Sequence, residues 1–87
     1  MIKVTIGLIT FNRPLMLRKA VKSILNQTYS NYELLIGNDF TNKKITFKTL
    51  GIKKDKRIKI YNYSKNKGER GNMNFLLSKA KSQYFSW

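Results

Sequence analysis

Within four residues near the start of the chain, the spacing of the apolar positions changes. Ile2, Val4, Ile6 and Leu8 alternate with shorter or more polar residues, the period-two pattern of a pleated strand rich in β-branched side chains. Leu17, Ala20, Val21, Ile24 and Leu25 then recur at the i, i+3, i+4, i+7, i+8 spacing of one helical face. Between the two patterns lies Phe11-Asn12-Arg13-Pro14. Asn12 can cap the helix with its side chain, and Pro14 suits the first helical turn, where an N–H has no partner to lose. A strand that runs straight into a helix start opens a βαβ unit, whose ligand site lies at the strand's carboxyl end. Thr10 to Pro14 is therefore the first place to expect function.

The rest of the chain repeats the alternation. Thr28 to Asn31 is a polar turn, and Tyr32 to Gly37 is a continuously apolar strand that ends at Asn38-Asp39, a pattern suited to burial on both faces of a parallel sheet. From Lys43 to Lys54 a short helix is expected, although Thr46, Phe47 and Thr49 lower its propensity. Asp55 to Arg57 is a charged turn, and Arg57 to Tyr63 alternates as a third strand. Ser64 to Gly71 is a polar loop with two glycines. Met73, Leu76, Leu77 and Ala80 predict a helix from Gly71 or Asn72 to about Ser82, and Gln83 opens a fourth strand. Strands alternating with helices predict one α/β domain over residues 1–87, doubly wound, with a mostly parallel sheet and flanking helices. Right-handed crossovers bring Thr10 to Arg13, Asn38-Asp39 and Lys65 to Arg70 to one rim.

Composition narrows the chemistry. A chain of 87 residues buries only roughly 60 to 65% of its unfolded surface, so modest stability is expected. It has no cysteine and no histidine, and its acids are Glu33, Asp39, Asp55 and Glu69, which leaves thiolate and imidazole metal sites out of reach. No apolar run approaches the roughly 20 residues needed to cross a bilayer, and the start of the chain lacks a signal-peptide pattern. The expected location is the cytoplasm, extending to the inner face of a membrane. The net charge of +14 invites a nucleic-acid reading. Lysine outnumbers arginine 14 to 4, however, whereas base-edge and phosphate readers rely more on the planar fork of arginine, so the charge is read chiefly as a solvated surface.

The predicted rim carries a carboxylate (Asp39), cations (Arg13, Lys65, Lys67, Arg70) and an aromatic ring (Phe11) beside helix N-termini, a set that suits a nucleotide. Each member has a second reading: Asp39 as the cap of a turn, Phe11 as part of the core, Arg70 as a solvated charge. Gly68-Glu69-Arg70-Gly71 also has the Gly-x-x-Gly form of a KH-type backbone clamp. A strand precedes it, however, and Glu69 puts negative charge in the clamp.

Val4-Thr5-Ile6-Gly7-Leu8-Ile9-Thr10-Phe11-Asn12-Arg13-Pro14 resembles the first strand and turn of family 2 glycosyltransferases with the GT-A fold. Ser23-Ile24-Leu25-Asn26-Gln27-Thr28-Tyr29 with Tyr32-Glu33-Leu34-Leu35-Ile36 is similar to that family's next block. Asn66-Lys67-Gly68, Asn72, Asn74, Ala80 and Tyr84-Phe85 look like its later loop, helix and strand. The resemblance implies a Rossmann-like donor-binding half whose nucleotide-sugar site includes Thr10, Phe11, Asn12, Arg13, Asp39 and Arg70. Its donor would be a UDP-type or dTDP-type sugar and its acceptor a glycan, with no specific nucleic acid among its partners. Asp39 would accept from the base, and Arg70 would face the diphosphate. Two departures stand out: Asn38 occupies the first place of the family's acidic pair, and Phe40-Thr41 follows it.

The family's enzymes imply a divalent metal, manganese or magnesium, for which these residues supply no ligand set, and an inverting transfer to an acceptor hydroxyl. The expectation is a chain truncated before the metal motif and base, inactive by itself. Peripheral membrane association, and self-association through the edge at Tyr84, Phe85 and Trp87, complete the expected partners.

Overall fold

The computed structural model describes residues 4–27, 30–40, 42–82 and 84–87. Its elements are β1 (Val4–Thr10), α1 (Pro14–Leu25), β2 (Tyr32–Asn38), α2 (Phe47–Leu50), β3 (Ile58–Asn62), α3 (Gly68–Lys79) and β4 (Tyr84–Ser86). The expected strand start at Ile2, the turn residues Thr28 and Tyr29, and Gln83 lie outside the described residues.

The four strands form one parallel sheet in the order β3-β2-β1-β4. The chain therefore steps outward from β1 through β2 to β3 and then returns to the far side of β1. With right-handed crossovers, reversing the direction of travel moves the connecting helix to the opposite face. α1 and α2 accordingly pack on one face and α3 on the other, which is the doubly wound arrangement predicted from the sequence. The reversal lies beside β1, where open α/β sheets form a crevice at the strands' carboxyl ends.

The period-two alternation decides what each face buries. Leu17 and Val21 of α1 and Leu50 of α2 meet Tyr32, Leu34, Ile36 and Ile58 in one apolar core, and Val4, Ile6, Leu8 and Ile60 pack at its margin. Burying a side chain such as Leu34 or Ile36 contributes about 1.5–3 kcal/mol. The face under α3 is more polar. Its buried members include Leu35 and Leu76 but also Thr5, Glu33 and Asn72. The Glu33 carboxylate accepts from the Thr5 hydroxyl and from the Lys81 backbone N–H, each at 2.7 Å. It thereby ties β2 to β1 and to the segment that enters β4.

Three local expectations are corrected. Asn12 does not cap α1. The N-cap is Arg13, without a side-chain cap bond, and Asn12 instead makes the turn with φ 52°, a left-handed conformation that asparagine tolerates better than most residues. The second helix is a single turn, Phe47–Leu50. Thr46 and Thr49 form a reciprocal capping box at its start, and Gly51 ends it at φ 70°. α3 begins at Gly68, earlier than its apolar spacing indicates, because its first amides are capped by Asp39.

At the amino rim, opposite the crevice, Arg57 and Asp55 pair at 2.7 Å. The hydrogen bond from Arg57 holds the Asp55 carboxyl below its ordinary range. The same guanidinium lies 4.7 Å from the centre of the Tyr32 ring, which closes the end of the core.

Candidate functional site

Strand register places Thr10, Asn38 and Asn62 side by side at the carboxyl rim. The side chains at these positions point to the α1/α2 face. Asn38 is buried, and its carboxamide is fully used. Its NH₂ donates to the Lys43 carbonyl at 2.7 Å and to Asn62 Oδ1 at 2.8 Å, while its Oδ1 accepts from the Phe40 N–H at 3.1 Å. Asn62 in turn accepts from the Ile45 N–H and donates to the Ile45 carbonyl. The two amides thus clamp the segment between β2 and α2 onto the sheet. The sequence marked Asn38 only as a departure from an acidic pair. Its requirement for a group that both donates and accepts explains the amide.

Asp39 is next along the chain and, by alternation, points to the other face. Its N–H donates to the Thr10 carbonyl at 2.9 Å. The carboxylate is 5% exposed and accepts from the Lys67 N–H at 2.5 Å and the Gly68 N–H at 2.8 Å. These are the leading amides of α3, so one carboxylate joins the end of β2 to the start of a helix about thirty residues on. A carboxylate offers about four acceptor positions, and two are taken. Arg70 stands exposed on the first turn of that helix. Phe11 is half exposed and meets Phe40 edge to face, with ring centres 5.2 Å apart.

Thr10, Phe11, Asp39 and the first turn carrying Arg70 are therefore linked along the rim, as expected. Asn12 and Arg13 make no hydrogen bond to Asp39 among the described residues. With Thr10 they line a separate cavity of about 430 Å³ between α1 and the segment leading to α2. Lys67 is also withdrawn from the rim, its ammonium lying 4.9 Å from the Tyr63 ring centre and 5.0 Å from that of Phe75.

Two further residues, Asn72 and Tyr63, were missed as a pair by sequence reasoning. Asn72 is buried on α3, donates to the Gly37 carbonyl at 2.9 Å and accepts from the Tyr63 hydroxyl at 2.7 Å. Burial, and next the negative charge of Asp39, push the Tyr63 phenol up to about 12. The signal was a polar residue at an inward position of an otherwise apolar helical stripe. Gly68-Glu69-Arg70-Gly71 forms the opening of α3 after β3, whereas a KH-type clamp joins two helices.

The acids do not fit a divalent ion. Asp39 holds α3, Glu33 holds Thr5 and Lys81, Asp55 holds Arg57, and Glu69 lies in the first turn of α3. Among the described residues no three His, Cys, Asp or Glu side chains come together.

The sequence profile described as "Glycosyl transferase family 2" matches residues 5–87. The chain is 32% identical over 85 residues to a Rickettsia bellii protein named as an uncharacterized glycosyltransferase, covering 98% of this chain and 12% of that protein. It is 32% identical over 87 residues to the Campylobacter jejuni GalNAc(5)-diNAcBac-PP-undecaprenol beta-1,3-glucosyltransferase, covering 98% of this chain and 28% of that protein. It is also 31% identical over 84 residues to the Escherichia coli UDP-Glc:alpha-D-GlcNAc-diphosphoundecaprenol beta-1,3-glucosyltransferase WfgD, covering 97% of this chain and 33% of that protein. The chain thus spans a third or less of these relatives.

Proposed function

The chain belongs to glycosyl transferase family 2, and from that premise we propose that it forms the part of such an enzyme that holds the nucleotide-sugar donor. The observation that carries this reading is the junction at Asp39, where the end of β1, the end of β2 and the N-terminus of α3 meet. The ring of Phe11, half exposed beside Phe40, offers a wall for the base, and the Thr10 carbonyl fixes the backbone of Asp39. Asp39 has acceptor capacity left for a base N–H, and the exposed Arg70 guanidinium offers positive charge to a diphosphate. A uracil or thymine ring presents such an N–H, which favours UDP-type or dTDP-type donors.

In the whole enzyme, transfer breaks the bond between the anomeric carbon and the diphosphate oxygen and forms a bond from that carbon to an acceptor hydroxyl oxygen. The acceptor proton must leave to a base. Neither that base nor ligands for a divalent ion are found among the described residues, so the part proposed here is binding and orientation. Two relatives are named for glucose transfer onto sugars borne by diphosphoundecaprenol. An acceptor glycan on a membrane lipid would place the work of this protein at a membrane surface.

The test is amide shift mapping with UDP and ADP. Responses at Thr10, Phe11, Asp39 and Arg70 with preference for UDP are expected, and responses confined to residues 43–57 would refute the site. Asp39→Asn should reduce discrimination between the two bases more than affinity for the shared diphosphate, since an amide can donate as well as accept. Equal loss for both nucleotides would contradict the role given to Asp39.

A further inference from the structure

The turn into α1 and the first turn of that helix expose large apolar side chains. Phe11 is 53% exposed, Leu15 69% and Met16 63%. Together they account for half of the large apolar side chains that stand exposed among the described residues, the others being Leu77, Tyr84 and Trp87. Each lines one cavity or touches a residue that does. Leu15 lines the 430 Å³ cavity with Arg13, Arg18, Lys43 and Lys44, Met16 touches the Arg13 guanidinium through its sulfur, and Phe11 rests on Phe40, which lines the same cavity.

The ring of charge around them is of one sign. Lys19 and Lys22 are exposed on α1, and Lys22 reaches toward Gly51 at the end of α2. Among the described residues no acidic one lines the cavity. Glu33 and Asp39 face α3 on the other side of the sheet, Asp55 is paired at the far rim, and Glu69 stands on α3. Exposed Leu, Met and Phe within a cluster of Lys and Arg match an interfacial surface, with apolar groups entering the acyl boundary and cations meeting lipid phosphates. A nucleic acid would use the cations but would gain nothing from Leu15 and Met16.

We propose that the N-terminal turn of α1 and the Lys43-Lys44 segment form a docking surface for an anionic phospholipid bilayer, with Leu15 and Met16 as the inserting residues. The proposal deepens the membrane placement given above and is independent of the donor site, because its test uses neither donor nor acceptor.

Co-sedimentation of the full chain with phosphatidylglycerol vesicles and with phosphatidylcholine vesicles tests it. Binding is expected to the first and not the second. Leu15→Ser with Met16→Ser, and separately Lys43→Glu with Lys44→Glu, should each weaken it by at least about tenfold. Lys53→Glu with Lys54→Glu makes the same change of net charge on exposed residues outside the cavity and should cost less than about threefold. All substituted side chains are exposed, and far-UV circular dichroism verifies each variant. Met16→Ser alone, expected to be intermediate, serves if the double variant does not fold.

Four outcomes would overturn the proposal. These are equal binding to both vesicles, equal loss from the two charge-reversal variants, wild-type binding by the apolar variants, and displacement from vesicles by millimolar inorganic phosphate. The last would mark a site for a free anion.

Discussion

The side-chain amide of Asn72 occupies the space that a Cβ on Gly37 would need. A methyl group there would collide with Asn72 Oδ1 and come within 2.6 Å of the Tyr63 hydroxyl and 2.9 Å of Asn72 Cγ. The same amide donates to the Gly37 carbonyl, so close approach and hydrogen bond require each other. Gly37→Ala should cost about 1–3 kcal/mol, the range for forcing extra volume into a packed site. Urea unfolding of the two proteins measures it, and equal midpoints would show that α3 can retreat from β2 without loss.

The Tyr63 phenol provides a pH signature for the same cluster. Its value is raised from 10.0 to about 12, first by burial and then by the charges of Asp39 and Tyr61. The unfolded chain loses this proton near pH 10 while the folded chain keeps it to about 12. Fewer protons bound by the unfolded state means that stability falls with rising pH across that window. The contribution is complete below pH 10.0 and is lost as pH climbs to about 12. Tyr63→Phe should be less stable than wild type at neutral pH, because the bond to Asn72 is gone, and the gap should narrow over that window. Lysines titrate there in both proteins and cancel in the difference. A constant gap would show that Tyr63 ionises alike in both states.

What the sequence revealed and what it concealed divide by range. The strand-to-helix switch at Thr10 to Pro14 is local, written in period and in Pro14, and it was read correctly as β1 and α1. The parallel sheet followed from the alternation of elements. The start of α3 lies before its apolar stripe because Asp39 caps it from another strand, and its one local mark is Asn66, whose Oδ1 also accepts from the Gly68 N–H at 2.9 Å. The single turn of α2 was written in Thr46, Thr49 and Gly51, but weak apolar spacing drew attention away from the caps. The site divides in the same way. Topology alone brings Thr10 and Asp39 together, whereas the left-handed turn at Asn12, φ 52°, has no counterpart in the apolar spacing.

Glu33 tests how a buried charge is held. Its Oε2 accepts from both Thr5 and Lys81, while Ser82 lies 2.8 Å from the same Thr5 hydroxyl. Glu33→Ala removes both acceptor bonds, leaves the Lys81 N–H without this partner, and should cost about 1–3 kcal/mol for the orphaned donors plus the cavity. Glu33→Gln keeps an oxygen in place and should lose less. Faster amide exchange at Lys81 in the alanine variant, and not in the glutamine variant, would tie the loss to this contact. Equal losses from the two would assign the effect to the charge of the carboxylate, since glutamine keeps the volume.

Asn38 gives the sharpest test because its orientation is determined on every side. Asn62 is fixed by its two opposite bonds to Ile45, which obliges its Oδ1 to face Asn38 and leaves only a donor acceptable there. The Lys43 carbonyl demands a second donor, and the Phe40 N–H an acceptor. A carboxylate meets one of these three demands and sets negative oxygens against two others. Asn38→Asp, which restores the acidic pair of the resembled family, should therefore destabilise the chain by about 1–3 kcal/mol and speed amide exchange at Ile45. The loss should shrink in an Asn62→Ala background, since that change removes one of the opposing oxygens, and the shortfall from additivity measures the pair. It should also shrink in acid, because the introduced carboxyl, once protonated, can donate once. A fully stable Asn38→Asp protein at neutral pH would mean that the segment from Phe40 to Ile45 is held by something other than this pair of amides.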